Sequence, residues 1–331
     1  SRERRGPPVM RAVVSGVEKT GDGVFRCTYR FMAAERRVDR GADVEALVHV
    51  RVCGEVGGSP LRTKAFRFEG KHDRTFGSGK RYQDVCVMED GEHLVATFEY
   101  EEDVEVYRLS DYTLVTTFGE EGDGDGEFEG AFAVCDSRCV GADGKHTIFV
   151  ADFRNNRVQE MTLSGAFVRH VGVGALVGPA GVCVDASVDA LFVSEHDKHR
   201  ISVFRLSDLA VAPRRFELGD DVVPQGICIT CCPRDGRKRL AVADWGGGDS
   251  DGSLALYPLG PDGSIATSDA VLVGGGDLDG PCGVASLPDG SVAVSDFECG
   301  DCFVFDAWPE TETSPDDFTL LKTFGGEWAD G

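Results

Sequence analysis

From Thr147 to Phe167 the chain reads TIFVADFRNNRVQEMTLSGAF. An apolar run, Ile148 to Ala151, ends on Asp152, and a polar loop of Arg and Asn follows. Arg157-Val158-Gln159 opens a second extended run, and Leu163-Ser164-Gly165 turns the chain toward a third. Two β-rich runs joined by such a loop predict an antiparallel hairpin.

The pattern repeats. It returns as Leu94-Val95-Ala96-Thr97, Phe192-Val193-Ser194-Glu195, Leu240-Ala241-Val242-Ala243-Asp244 and Val292-Ala293-Val294-Ser295-Asp296. Its small residues stand at 96, 151, 194, 243 and 295, which are 55, 43, 49 and 52 apart. A hydrophobic residue followed by glycine also recurs, at Phe76-Gly77, Phe118-Gly119, Val171-Gly172, Leu218-Gly219, Val273-Gly274 and Phe324-Gly325. Spacings of about 40–50 residues, with four short strands per unit, belong to propellers. Leucine-rich repeats are about half as long, and the 3.6-residue apolar period of helical repeats is absent. The expectation is an all-β chain, a β-propeller with five complete blades at about 80–119, 128–172, 178–219, 224–274 and 281–325.

Each repeat keeps one order. An inner strand such as Gly181-Val182-Cys183-Val184-Asp185 comes first, then a turn, the acid-ending strand and a polar loop. A third strand such as Arg200-Ile201-Ser202-Val203-Phe204 and an outer strand ending in glycine complete it. Repeats two and three are the fullest, with Pro179 to Asp185, Asp152 to Arg157 and Glu195 to Arg200. Repeat one has Thr97 and Asp103 where acid and Arg are expected, and repeats four and five keep Asp244 and Asp296 without the Arg. Over about residues 64–331 these segments resemble the NHL repeat, roughly P-x-G-V-A-V-D and then hydrophobic-V-A-D-x-x-N-x-R-I-x-V-F. The resemblance implies a fold, not an activity.

Residues 10–30 alternate as a strand pair around Asp22-Gly23, a strong hairpin signal, and Leu47 to Val52 is a further β run. With Gly57-Gly58-Ser59-Pro60-Leu61, residues 10–63 resemble the second half of a filamin-type immunoglobulin-like repeat, a partial β-sandwich whose first strands are missing. Its P-x-x-x-G segment is replaced by a charged insertion, Ala33 to Asp43. Lys64 to Phe68 and Arg74 to Gly77 have the form of an outer propeller strand, so 64–77 is expected to complete the closing blade and remove a free edge. Phe324-Gly325-Gly326-Glu327 parallels Phe118-Gly119-Glu120-Glu121, which leads into a blade, so a truncated six-bladed propeller is expected. The start, SRERRGPPVM, has neither a signal core nor an initiator Met and reads as an internal cut.

Charge narrows the partners. The 331 residues carry a formal charge of −23; residues 1–63 hold 12 Lys+Arg and 8 Asp+Glu (+4), leaving 22 and 49 (−27) for 64–331. Such a surface repels phosphate backbones and favours basic or mixed-charge protein partners. No run of 18 apolar residues is present, so no membrane span is expected. Of the 12 cysteines, Cys86, Cys183 and Cys228 share one inner-strand position and read as small buried residues. Without a secretion signal, a cytoplasmic setting with reduced thiols is expected. Cys299-x-x-Cys302 and Cys231-Cys232 lack the second knuckle that a zinc site needs.

In a four-stranded blade, the loops between second and third strands share one face with the blade-to-blade linkers. That face is mostly acidic, with Glu120 to Glu129, Asp220-Asp221 and Asp277 to Asp279. It also carries the candidate partner contacts Arg154, Asn155, Asn156, His196, Lys198, His199, Trp245 and Phe297. An RNA reader would need basic and aromatic groups there, and the basic run Arg234 to Arg239 falls on the opposite face, as a solvated hairpin turn. Asp152/Arg157 and Glu195/Arg200 read as structural clasps across their loops rather than as functional pairs. Asp123 to Glu127 lacks EF-hand spacing and reads as a linker. None of the seven His recurs on inner strands, where channel ligands would arise, and no nucleophile elbow or phosphate loop is present. No catalytic residue, metal or cofactor is expected.

A filamin-type repeat followed by NHL repeats resembles the C-terminal half of TRIM-NHL proteins. That resemblance implies a non-catalytic scaffold which selects a protein target for an upstream RING ubiquitin ligase, a module not visible in this sequence. An RNA-binding regulator and a metal-dependent propeller hydrolase or lyase are the alternatives.

Overall fold

The computed structural model describes residues 82–98, 102–140, 146–246, 252–309 and 318–324, positions 144 and 312, and the course of three strands nearer the N-terminus. Those three, β1 (Met10–Thr20), β2 (Val24–Ala33) and β3 (Val48–Cys53), form an antiparallel sheet in that order. Five four-stranded antiparallel sheets follow. The first is β4 (Tyr82–Val87), β5 (His93–Phe98), β6 (Val104–Arg108) and β7 (Leu114–Phe118). The second is β8 (Ala131–Val140), β9 (His146–Asp152), β10 (Arg157–Thr162) and β11 (Phe167–Val171). The third is β12 (Pro179–Asp185), β13 (Ala190–Glu195), β14 (Arg200–Arg205) and β15 (Arg214–Glu217). The fourth is β16 (Pro224–Cys231), β17 (Lys238–Asp244), β18 (Ser253–Leu259) and β19 (Val271–Val273). The fifth is β20 (Pro281–Ser286), β21 (Val292–Asp296), β22 (Cys302–Phe305) and β23 (Leu320–Phe324).

Strand order follows the chain in every sheet, and the first strands lie side by side, β4 by β8, β8 by β12, β12 by β16 and β16 by β20. The arrangement is a five-bladed β-propeller. The sector between blades five and one is taken by the N-terminal sheet, whose β1 lies against β20, β21 and β4. Residues 64–77, expected as the closing outer strand, and 325–331, expected as the lead into a sixth blade, lie outside the described residues.

The core sits between blades. Val95, Val104 and Val106 of the first pack on Val134, Ile148 and Val150 of the second. Phe149 and Ala151 then meet Val182, Leu191 and Val193 of the third. Phe192 and Ile201 meet Ile227, Leu240 and Val242 of the fourth, and Leu254 and Leu256 meet Val292 and Val294 of the fifth. Each second strand is covered on both faces, so it reads as an unbroken apolar run instead of an alternating one. Outer strands have no such cover, and Leu114, Val115, Leu272 and Leu321 stand exposed on them.

Two glycine positions are set by geometry. After the outer strands, Gly172 and Gly274 have φ of +74° and +78°, the left-handed region that favours glycine. At the inner strands, a Cβ on Gly181 would lie 2.4 Å from the Gln225 carbonyl, and one on Gly226 2.5 Å from that of Cys282. The Pro-x-Gly start of β12, β16 and β20 is therefore where adjacent inner strands come closest.

Pairing register corrects one alignment read from sequence. Gly181 pairs with Ser194 and Pro179 with Glu195, whereas in blade one Asp84 pairs with Thr97 and Tyr82 with Phe98. The acid position of blade one is thus held by Phe98, and Thr97 is the equivalent of the small Ser194. The hydroxyls agree: Thr97 Oγ1 donates to the Phe132 carbonyl at 3.0 Å and Ser194 Oγ to that of Gln225 at 2.6 Å, both on the neighbouring inner strand.

Candidate functional site

Blades two to five share one device on the linker face. The acid ending the second strand accepts a backbone N–H from the linker just before its own inner strand. Asp152 takes that of Glu129 at 2.9 Å, and Glu195 that of Val177 at 2.8 Å. Asp244 takes that of Val223, and Asp296 that of Asp279, both at 2.8 Å. The next residue donates its own N–H back to the linker: Phe153 to Gly130 at 2.9 Å, His196 to Gly178 at 2.9 Å, Trp245 to Val223 at 3.0 Å and Phe297 to Gly280 at 2.7 Å. Two bonds in opposite directions hold each linker against its blade.

What surrounds the acid differs by blade. Arg157 Nε donates to Asp152 at 2.7 Å, both side chains being buried, and its remaining nitrogens reach the carbonyls of Asp123, Gly124 and Glu127. Arg200 holds Glu195 through two bonds of 2.8 Å, and this guanidinium is made still harder to deprotonate by the carboxylate hydrogen bond. Asp244 instead accepts the Gly246 N–H and the Ser253 hydroxyl. Asp296 accepts the N–H groups of Gly280, Glu298 and Cys299.

The residue after the acid is an aromatic or imidazole ring in all four blades, and these rings meet in pairs across blade boundaries. Phe153 and His196 lie edge to face with centroids 5.8 Å apart, and Phe132 of β8 stacks on Phe153 at 4.8 Å. Trp245 and Phe297 are 5.7 Å apart and inclined at 44°. All five are half-buried. Phe132 also lines a narrow cavity between the first strands of the blades, with Gln83, Asp84, Gln225 and Cys282 among others.

The eight contact candidates divide into two groups. Asn155 Nδ2 donates to Asp152 and to the Gly122 carbonyl, Asn156 Oδ1 accepts the Gly178 N–H, and His199 Nδ1 pairs with the Val222 carbonyl at 2.7 Å. Asn156 and His199 also take left-handed φ of 55° and 53° to turn their loops. Their polar atoms serve the linkers. Arg154 and Lys198 are exposed, and His196, Trp245 and Phe297 belong to the ring pairs. Sequence reasoning missed Phe153 and Phe132. Phe153 was findable as the equivalent of His196, Trp245 and Phe297 in the repeat, whereas Phe132 is brought in by folding alone.

On the opposite face the basic run is not a solvated turn throughout. Arg239 is only 5% exposed; it donates to the Ala307 carbonyl and to Glu312, and its guanidinium lies 4.2 Å from the centre of the Trp308 ring. Arg237 reaches the same Glu312 at 2.9 Å. Thr230 and Trp308 complete this latch between blades four and five.

One grouping of metal-type ligands occurs among the described residues, Glu89, Asp136 and His146, at the turns of blades one and two away from the cavity. Glu89 is paired with Arg138, and Asp136 already accepts the N–H groups of Glu89 and Arg138 and meets His146 Nδ1 at 3.2 Å. Burial raises the Asp136 carboxyl above its ordinary range despite those bonds. Cys302 is buried in the blade-five core and its thiol is pushed up to about 12 by burial, while Cys299 is exposed. No helix among the described residues is long and apolar enough to cross a membrane.

No protein-family model matches this chain, and no curated protein matches its sequence. Solved structures do match in shape. A chain in the crystal structure of a nidogen/laminin complex is similar at a TM-score of 0.55 and 15% identity, over 86% of this chain and 92% of that one. A functionally unknown protein from Desulfotomaculum acetoxidans DSM 771 is similar at 0.50 and 12% identity, over 95% and 86%. At these identities the likeness is one of fold.

Proposed function

We propose that this chain is a non-catalytic interaction scaffold that binds a protein partner through the linker face of its propeller. The observation that carries the reading is two groups of half-buried rings that meet across blade boundaries, Phe132 with Phe153 and His196, and Trp245 with Phe297. Rings with one wet side supply large contact area at small entropic cost, which is why such residues dominate interface energetics. Arg154 and Lys198 add exposed charge beside them. The NHL-like repeat pattern extends the proposal: the chain serves as the substrate-recognition half of a TRIM-NHL-like ubiquitin ligase in the cytoplasm, with its RING on another segment.

The test is cross-linking mass spectrometry with the chain and with a face variant, Arg154→Glu/Trp245→Ala/Phe297→Ala. Partners cross-linked through the linker face are expected to disappear with the variant while its melting curve keeps a single transition. Partners retained in full by the variant would sink the reading. The RNA-binding alternative is checked by a gel shift at low salt with single-stranded RNA, where retardation that fades with added salt would favour it. Stoichiometric calcium or zinc in the purified chain would favour the hydrolase or lyase alternative.

A further inference from the structure

The ring pair of blades four and five is more than apolar area. Trp245 and Phe297 meet at 5.7 Å and 44°, and the Phe297 N–H donates to the carbonyl of Gly280 in the linker. A Cβ on Gly280 would lie 2.9 Å from the Glu298 side chain and 3.3 Å from the Trp245 ring, so the carboxylate stem and the indole both lie against Gly280. Glu298 is exposed, as is Asp279, which is fixed by its N–H bond to Asp296. Two half-buried rings in contact, with the exposed acids Asp279 next to Gly280 and Glu298 next to Phe297 in the chain, make a patch of one charge sign.

We propose that this patch binds a cationic side chain, an arginine guanidinium before all others, presented by the protein partner. The proposal rests on the reading of this face as a partner surface and adds the chemistry of what enters it. A guanidinium is weakly hydrated, stacks on aromatic faces and offers a planar fork to carboxylates. Here the exposed side of the indole supplies the face, Phe297 braces it from behind, and Glu298 and Asp279 supply the acceptors. The net −27 of residues 64–331 draws cations toward the surface and repels acidic segments. The related pair, Phe153 and His196, is less suited, because Asp197 beside it is already engaged by His196 Nδ1 at 2.8 Å.

The experiment selects random twelve-residue peptides on phage with the full chain as bait, then counter-selects against Trp245→Ala. Peptides that depend on Trp245 are expected to be rich in Arg. Synthetic copies with Arg replaced by citrulline, which keeps the shape and removes the charge, should bind at least tenfold more weakly, and Lys copies should fall between. Glu298→Gln, an exposed change that leaves the core untouched, should cost severalfold, with Arg234→Gln on the opposite face as the neutral control. Trp245-dependent peptides that lack cations, or that tolerate citrulline, would overturn the cation assignment and leave the partner-surface reading standing. Absence of any Trp245-dependent binder would overturn both.

Discussion

Blades two and three and blades four and five solve one problem in two ways. Each must pin a linker by giving its N–H groups an acceptor, and each uses the acid at the end of its second strand. In blades two and three that acid is matched by an arginine from the next strand. In blades four and five its partners among the described residues are backbone N–H groups and Ser253, and arginines appear on the opposite face, around Glu312. The acceptor is therefore the constant requirement, and the guanidinium is an addition made where the linker offers carbonyls to bind. In blade one, Phe98 stands at that position, where the other blades carry the carboxylate.

The sharpest way to break this comparison is to remove one acid of each kind. Asp152→Ala leaves Arg157 buried without its counter-charge and should cost about 3–5 kcal/mol, read from urea midpoints. Asp296→Ala should cost less, about 2 kcal/mol, because the Glu298 and Cys299 N–H groups lie at exposed residues where water can replace the carboxylate. Asn in each position separates charge from shape. Asp152→Asn should remain costly, since an amide cannot neutralise Arg157, whereas Asp296→Asn should cost about 1 kcal/mol. Equal losses at the two sites would show that the guanidinium contributes nothing beyond the acceptor.

Much of this was readable in the sequence, for a reason that also marks the limit. The apolar second strands, the Pro-x-Gly starts and the glycines after outer strands are each forced by a local constraint that every blade repeats. Repetition makes them visible without any other sequence to compare. The off-by-one in blade one arose because Ala96-Thr97 satisfies the small-then-polar pattern, and only pairing of Tyr82 with Phe98 fixes the register. The burial of Arg239 could not be read at all, since its partners Ala307, Trp308 and Glu312 come from a loop about 70 residues away. Pairs formed between blades, such as Phe132 on Phe153, are likewise properties of the folded ring.

The latch on the opposite face sharpens the comparison through pH. Burial raises the Glu312 carboxyl, but the hydrogen bonds and charges of Arg237 and Arg239 outweigh it and hold the group below its ordinary range. A carboxyl depressed in the folded state stabilises above its unfolded pKa, and this contribution is lost as pH falls through the folded value. Glu312→Gln should therefore lower the melting temperature at pH 7, and the gap to the parent chain should narrow once pH drops below about 4.3. A gap that stays constant down to pH 3 would mean that Glu312 acts through packing rather than charge.

The smallest expected effect on stability is the one that matters most for function. Trp245 is half-buried, donates only its backbone N–H to the linker, and meets Phe297 at 5.7 Å. Removing an aromatic partner of this kind costs about 0.5–1.5 kcal/mol beyond the lost area, and here part of that area is already wet. Trp245→Ala should thus lose about 1 kcal/mol in urea unfolding, well under Asp152→Ala, while abolishing partner binding through the linker face. Phe153→Ala, whose ring is packed between Phe132 and His196, should lose more stability and leave binding at the Trp245 patch intact. If Trp245→Ala were instead as destabilising as Asp152→Ala, the rings would be core rather than surface, and the two bonds at each linker would be insufficient to hold the blades without them.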